Sequence, residues 1–467
     1  MSKQTPNIVL IVLDTLRPDH LSCYGYAKPT SPNLDQVAKE GVLFQNAFCT
    51  APWTLPSHGS IFTGAYVSRH GLDQGSEVLA DDLVTMAELL ARQGYATAAF
   101  SSNIWVSKMT GLSRGFSYFK RANVPPFDEV AEPNPLQKMV KEIYWRYFFK
   151  RYDYGAREIN GMVKHYFSRV WNKERPFFMF INYLETHLKY EPPGKFRDLF
   201  LEDKAQKRLA RHVNQDARKV NGGLLHMSEA EFEVLRALYD AEIRYVDYRL
   251  GEVLSLLKEL NRLDDTLLIL TSDHGENIGD HGLMDHQFSV HDTLVQVPLI
   301  IRFPKAFEPS SVAGQFVQTV DFLPTVADIL NLSPNSLPQD QIQGQSILSL
   351  QRNGNQRAVF AEYLNPRVQV LERAFPDRDW SAFNRKLRSI RTDRHKLIAA
   401  SDGAHELYDV ENDPAEAENR IKEHPELAQQ LLRRLDDWVA SVEKKVAKTE
   451  LEFQKDTLRV LEGLGYV

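Results

Sequence analysis

Residues 50–64, Thr-Ala-Pro-Trp-Thr-Leu-Pro-Ser-His-Gly-Ser-Ile-Phe-Thr-Gly, set hydroxyls and an imidazole at what reads as a helix entrance. Thr54 stands just before Pro56 and Ser57, and an apolar pattern then runs to Thr63 and Gly64. Proline in a first turn followed by serine marks a helix start. A hydroxyl there faces free backbone N–H groups and the positive end of the helix dipole, a ready place for an anion. An ordinary helix entrance has the same signature, so the rest of the chain must decide. Asp14 closes the apolar run that starts at Asn7, and Asp273–His274 closes the run Leu267 to Ser272. Glu185, Thr186 and His187 follow a third run, Phe177 to Asn182. Between Asp273 and His291 stand His274, His281, His286 and His291, with Gly275, Gly279 and Gly282 among them. Glycines there would let backbone approach a ligand closely. Any one of these acids reads equally well as a helix cap. Three acid-bearing strand ends brought to one edge could instead place Asp14, Asp273, His274 and the Thr54 oxygen around one divalent cation. Carboxylates with a single imidazole suit Mn²⁺, Zn²⁺, Mg²⁺ or Ca²⁺.

The elements that would position these groups follow from hydrophobic patterning. Asn7 to Asp14, Asn-Ile-Val-Leu-Ile-Val-Leu-Asp, is the pattern of a strand buried on both faces, and hence of a parallel sheet. The C-terminal ends of such strands are where open α/β sheets carry their sites. Ala96 to Phe100, Phe177 to Asn182, Leu267 to Ser272 and Val297 to Arg302 read as further buried strands. Helices are expected over 33–41 and 82–93, each stopped by glycine. The apolar face Ile159, Met162, Val163, Tyr166, Phe167 and Val170 predicts another. Ser228 and Glu231 form a capping box ahead of a long amphipathic helix to about Leu260. Prolines near 121–135 signal an excursion from the sheet. The basic aromatic stretch 138–154 could be a lid or touch a membrane surface, or it could be an inserted helix packed on the body. Residues 194–226 read as a loop excursion. The order then changes: Ala358 to Tyr363 is strand-like, Ile390 to Ala400 and Ala404 to Val410 alternate like a hairpin, and a helix follows at about 425–440. Two units are expected, a catalytic α/β domain over 1–349 and a small α+β domain over 350–467.

Composition narrows the class. With 43% apolar and 25% charged residues the chain is that of a globular protein, and a net charge of −6 gives no case for nucleic acid. Two cysteines, Cys23 and Cys49, build no disulfide framework. No signal-peptide pattern and no apolar run of spanning length is present, and the expected location is cytoplasmic.

Taken in order, these pieces resemble the sulfatase family within the alkaline phosphatase superfamily. The resemblance rests on the Asn7–Asp14 run, Pro56-Ser57 with Thr63-Gly64, Gly94-Tyr95-Ala96-Thr97, and Pro176-Phe177-Phe178 through His187. It continues with Ser272-Asp273-His274-Gly275-Glu276, Asp321-Phe322-Leu323-Pro324-Thr325, Arg391 to Leu397, and Glu406-Leu407-Tyr408-Asp409. It implies an alkaline phosphatase-like fold: a central mixed, mostly parallel sheet between helices, with a small C-terminal sheet domain. The family nucleophile is Cys or Ser in Cys/Ser-x-Pro-x-Arg, converted to formylglycine. Here Thr54 and His58 hold the nucleophile and arginine positions. Oxidised threonine would be a ketone, so no formylglycine is expected, and Ala51 rules out Cys49 by register. Thr15 replaces a second aspartate. Ser102 and Ile104 replace a lysine and a histidine, and Asn103 could donate to a substrate oxygen. A plain threonine is similar to nucleotide pyrophosphatase/phosphodiesterases and to phosphoglycerol and phosphoethanolamine transferases. Their single metal set of Asp, Thr, Asp and His corresponds to Asp14, Thr54, Asp273 and His274.

The resemblance implies attack by Thr54 on phosphorus or sulfur, protonation of the leaving oxygen by His187 or His286, and substrate contacts from His58, Asn103, Glu185 and His291. A second cation could sit at Glu185, His187 and His286 or His291. Lacking the geminal diol that expels sulfate, a threonine ester must be cleared by a second displacement, by water in a hydrolase or by an acceptor hydroxyl in a transferase, which favours phosphomono- or phosphodiesters, small or attached to lipid or glycan. A sulfuric ester hydrolase without formylglycine and a non-catalytic binding protein on the same fold are the alternatives.

Overall fold

The computed structural model describes residues 5–122, 153–353 and 357–443. Eight strands form the main sheet: β1 (Asn7–Leu13), β2 (Val42–Phe48), β3 (Ala96–Ser101), β4 (Tyr118–Arg121), β5 (Phe177–Tyr183), β6 (Thr266–Thr271), β9 (Leu299–Arg302) and β10 (Ser311–Gln318), with a two-stranded ribbon, β7 (Asn277–Ile278) and β8 (Met284–Asp285), between β6 and β9 in the chain. Their order is β10-β2-β9-β6-β1-β5-β3-β4. All neighbours are parallel except β9, which runs antiparallel to both β2 and β6. The mixed, mostly parallel sheet is thus the one the resemblance implies.

Strand β1 explains the layers. Its alternate residues feed opposite cores: Ile8, Leu10 and Val12 pack with the Thr54–Thr63 helix, and Val9, Ile11 and Leu13 pack with helices Ala156–His165 and Glu229–Glu259. All seven residues of β1 are buried, as a strand covered on both faces requires. The capping box at Ser228 and Glu231 opens the long helix as its sequence predicts. The four-stranded antiparallel sheet of β11 (Val359–Tyr363), β12 (Leu387–Arg391), β13 (His395–Ala400) and β14 (Glu406–Asp409) is followed by helix Pro425–Val442. Val359, Ala361, Tyr363 and Leu387 share one core with the Thr54 helix. A buried charge network adds a second tie. Asp292 lies 2.8 Å from Arg391 and 2.7 Å from Lys396, and Lys396, wholly buried, lies 2.8 Å from Glu416.

Several expectations change. The expected 82–93 helix is shorter, Met86–Arg92, because Thr85 caps it with a box to Glu88. Ile390 to Ala400 is two antiparallel strands, broken where Thr392 Oγ1 and N bond the His395 carbonyl. The 194–226 excursion holds short helices Lys204–Leu209 and Ala217–Asn221, each capped by an aspartate. Of the 138–154 stretch only Asp153 and Tyr154 are described, so its lid or membrane reading falls outside the described residues.

Candidate functional site

The neighbouring strands β6, β1 and β5 deliver Asp273, Asp14 and the 185–187 group to one edge. The Thr54–Thr63 helix points its N-terminus there. Thr54 is the first residue of that helix, and Trp53 takes the cap position in extended conformation. Ser57 Oγ donates to the Asp273 carbonyl at 2.6 Å and fixes the helix start against the end of β6. Thr186 Oγ1 donates to the Asp14 carbonyl, and Thr15, held at φ 55°, donates its Oγ1 to the Thr186 carbonyl. Threonine at positive φ is a strained conformation that the interlock sustains. Gly275 is needed for packing, not for a ligand: a Cβ there would come within 2.0 Å of the Thr293 carbonyl oxygen. Gly279 and Gly282 serve the turn, at φ 90° and 72°.

Ligand atoms of Asp14, Asp273 and His274 all lie within 4.8 Å of one another, fully buried. His274 donates Nδ1–H to the Gly275 carbonyl at 2.9 Å, which leaves its Nε2 lone pair facing the acids. Nε2 is 3.8 Å from Asp14 Oδ1, 3.5 Å from Asp273 Oδ2 and 3.4 Å from Thr54 Oγ1. Burial, then the charge of His286, keeps His274 well below the usual histidine range, so the lone pair is available. Asp14 Oδ1 and Asp273 Oδ2 accept no hydrogen bond among the described residues. No Lys or Arg among those residues forms an ion pair with either acid. Burial, then repulsion from Asp273, pushes Asp14 up to about 7, and burial raises Asp273 as well. Two buried carboxylates with unused oxygens beside a neutral imidazole fit a divalent cation.

Asn103 completes the floor. Its Oδ1 accepts from Trp105 N at 2.9 Å, which turns Nδ2 toward Asp14 Oδ2 at 2.8 Å and Thr54 Oγ1 at 3.3 Å. Asn103 thus faces both Thr54 and Asp14. His58 lies beneath the helix: Nδ1 donates to the Thr54 carbonyl at 2.9 Å, Asp273 Oδ2 is 3.5 Å away, and the ring packs edge-on against Phe180. His286 stacks tilted over His274, ring centroids 4.5 Å apart, and His187 meets His286 at 5.0 Å. His187 donates Nδ1–H to the Leu188 carbonyl at 2.6 Å. Burial, then the His286 charge, lowers its pKa. For His286 burial opposes charge, yet Asp285 and Glu276 hold it well above the ordinary value.

Two expected residues are not brought to this group. Glu185 turns away and caps the Ala156–His165 helix, Oε1 accepting from Ala156 N at 2.5 Å. That position also breaks up the second cation set expected at Glu185 and His187. His291 sits at the junction with the small sheet, 2.5 Å from Ser289 Oγ and 3.4 Å from both Glu406 Oε2 and Tyr408 OH, with His281 stacked on it. The sequence places Ser57 at the helix start and Thr186 after the third strand but does not show which carbonyls they hold, and for Asp285 its only signal is adjacency to His286. Cys49 is buried with its thiol on the Ala51 carbonyl.

Glu185 also carries a prediction. Burial, then repulsion from Asp153, pushes it up to about 8 from 4.5. The folded chain therefore keeps a proton that the unfolded chain has lost, so this group's contribution is most favourable below about pH 4.5 and is lost as pH rises toward 8. Glu185→Gln imitates the protonated form. It should flatten the loss of stability between pH 5 and 8.5 and stabilise the alkaline end by roughly 2–4 kcal/mol. Denaturant melts across that range with the wild-type slope would refute this.

The family model described as Sulfatase matches residues 6–332, and the one described as N-sulphoglucosamine sulphohydrolase, C-terminal, matches 279–444. The chain is 27% identical over 454 residues to "Uncharacterized sulfatase YidJ" of Escherichia coli (strain K12), covering 89% of this chain and 83% of the relative. Two solved structures share the fold at a TM-score of 0.72. One is the phosphonate monoester hydrolase of Agrobacterium radiobacter, 22% identical over 93% of this chain and 95% of that one. The other is BT4656 in complex with its substrate D-glucosamine-2-N,6-O-disulfate, 20% identical over 96% of this chain and 100% of that one.

Proposed function

The chain belongs to the sulfatase family, and on that premise we propose that it hydrolyses singly charged phosphorus esters, phosphodiesters or phosphonate monoesters, with Thr54 as nucleophile. The observation that carries the reading is the Thr54 hydroxyl, 3.3 Å from Asn103 Nδ2 and 3.4 Å from His274 Nε2, beside two acids with unused oxygens. A divalent ion held by Asp14, Thr54, Asp273 and His274 would lower the pKa of that hydroxyl and neutralise a nonbridging ester oxygen.

The chain's own groups then divide the work. Asn103 donates to Thr54 Oγ1 and stabilises its deprotonated form. The helix N-terminus favours the anionic ester. His58, gripping the Thr54 carbonyl and facing Asp273, fixes the nucleophile relative to the acid. Thr54 Oγ1 attacks the central atom in line, and the bond to the leaving oxygen breaks. His286 protonates that oxygen from Nε2. In the second half water attacks the Thr54 ester at the same atom, loses its proton to His286, and Thr54 leaves. Threonine carries one hydroxyl, so the geminal-diol exit of a formylglycine hydrate is closed to it. Phosphorus accepts this repeated displacement readily.

Charge sets the ester class. Asp14 and Asp273 cancel a divalent cation, and no Lys or Arg pairs with them among the described residues. A second negative charge on the substrate would meet little compensation, at about 4 kcal/mol for a unit charge 4 Å away in partly shielded surroundings. A sulfuric monoester is also singly charged, and the named relatives favour it as a second reading. A panel with Mn²⁺, Zn²⁺, Mg²⁺ and Ca²⁺ decides: bis(4-nitrophenyl) phosphate and a 4-nitrophenyl phosphonate should exceed 4-nitrophenyl phosphate in kcat/KM by about tenfold or more. A dominant rate on 4-nitrophenyl sulfate would install the second reading. Inactivity on every ester with every metal would favour a binding protein.

A further inference from the structure

The ribbon after β6 brings two carboxylates to one imidazole nitrogen. Asn277 pairs with Asp285 and Ile278 with Met284. At the ribbon's open end, Asp285 Oδ1 lies 2.7 Å and Glu276 Oε1 3.2 Å from His286 Nδ1. Asp285 holds a φ of 73°, a left-handed conformation that aspartate and asparagine adopt more readily than other non-glycine residues. Buried Arg17 braces the same place, its Nη1 donating to the Glu276 carbonyl at 2.9 Å and to Asp280 Oδ2 at 2.7 Å. Glu276 is wholly buried, and its Oε2 accepts no hydrogen bond among the described residues. Nδ1–H bonds buried Glu276, while half-buried Asp285 takes the His286 backbone N–H at 2.7 Å and lies against the same ring nitrogen, so the two carboxylates fix the ring from both sides.

We propose that Asp285 and Glu276 are positioning residues that grip His286 Nδ1–H and aim Nε2 at the leaving-group oxygen. The proposal rests on the reading of His286 as proton donor. As the bond from phosphorus to the leaving oxygen breaks, the electron pair stays on that oxygen and the Nε2 proton moves to it. The Nδ1 proton stays between the carboxylates throughout. In the second half the attacking water returns a proton to Nε2, and the ring ends as it began.

The test compares the full-length, metal-loaded protein with Asp285→Asn, Glu276→Gln and His286→Ala on a series of aryl esters from 4-nitrophenyl to phenyl. Asparagine tolerates the left-handed backbone at 285, and Glu276→Gln, at an ordinary backbone position, is the second arm if the first fails to fold. Each positioning variant should lose about tenfold to a hundredfold in kcat on the phenyl ester and only a few-fold on the 4-nitrophenyl ester, with KM and bound metal unchanged. Combined with His286→Ala, neither should add to the loss. Losses equal across the series, or additive with His286→Ala, would overturn the positioning role while leaving the donor intact. A His286→Ala protein with an unchanged leaving-group dependence would remove the donor, and the positioning role with it.

Discussion

Thr54→Ala is expected to lower kcat by about 10⁴-fold or more on every ester turned over, with the fold intact. The expectation follows from what surrounds the hydroxyl. Its oxygen is 3.3 Å from Asn103 Nδ2 and 3.4 Å from His274 Nε2, long separations of modest stabilising value. Removing it should cost about 1 kcal/mol of stability, within reach of a small shift in Tm. Two neighbouring groups that could replace it are engaged elsewhere: Cys49 is buried on the Ala51 carbonyl, and Ser57 spends its hydroxyl on the Asp273 carbonyl. Thr54→Ser keeps an oxygen in place and should stay within about a hundredfold of wild type. Acid quenching during turnover of a slow substrate should add one phosphoryl or sulfuryl mass to the peptide holding Thr54, and to no peptide of the alanine variant. Unchanged turnover by Thr54→Ala would remove threonine from the chemistry and leave the acids to activate water directly.

Much of this site could be read from the chain because strands buried on both faces announce themselves. β1, β5 and β6 are continuous apolar runs, they are neighbours in the sheet, and the acids that close β1 and β6 meet beside Thr54. The same logic misplaced Glu185. A strand end predicts an edge, not a direction: the chain turns directly after β5, with His187 N bonded to the Leu184 carbonyl, so Glu185 points to a helix start and His187 toward His286. Strands β2, β4 and β10 escaped for a different reason. β2 and β10 carry exposed or half-buried polar residues such as Gln45, Asn46, Gly314 and Gln315, and β4 is a partly exposed edge, so none shows the apolar run that marked the centre. Asp285 and Glu276 are a third case. Their meaning lies in a ribbon register and a single nitrogen, contacts that no spacing rule encodes.

Asp273→Asn should separate the two tasks of the acid pair by moving stability in opposite directions with and without metal. In the metal-free protein Asp14 and Asp273 are buried like charges, and Asp14 is pushed up to about 7 by burial and by its partner. A raised carboxyl makes the folded state the better proton binder, so the metal-free fold should be firmest near pH 4 and lose stability as pH rises toward 7. Asp273→Asn relieves the repulsion. Its Oδ1 can still accept from His274 N at 3.1 Å and its amide can face His274 Nε2, 3.5 Å from the oxygen it replaces. The metal-free variant should therefore match or exceed metal-free wild type at pH 8, with a flatter pH slope. Loading reverses the order, because a ligand that binds only the folded state stabilises it by about 2.7 kcal/mol at a hundred times its Kd. Wild type should show that rise with the productive metal, and the variant, short of one charged ligand, should show little of it and lose about 10³-fold in kcat/KM. Chelation should abolish wild-type turnover and metal should restore it. Melting curves of both proteins, stripped and loaded, at pH 5 and 8 supply the check. A variant that is less stable than wild type when both are stripped at pH 8 would mean that Asp273 holds the fold rather than an ion.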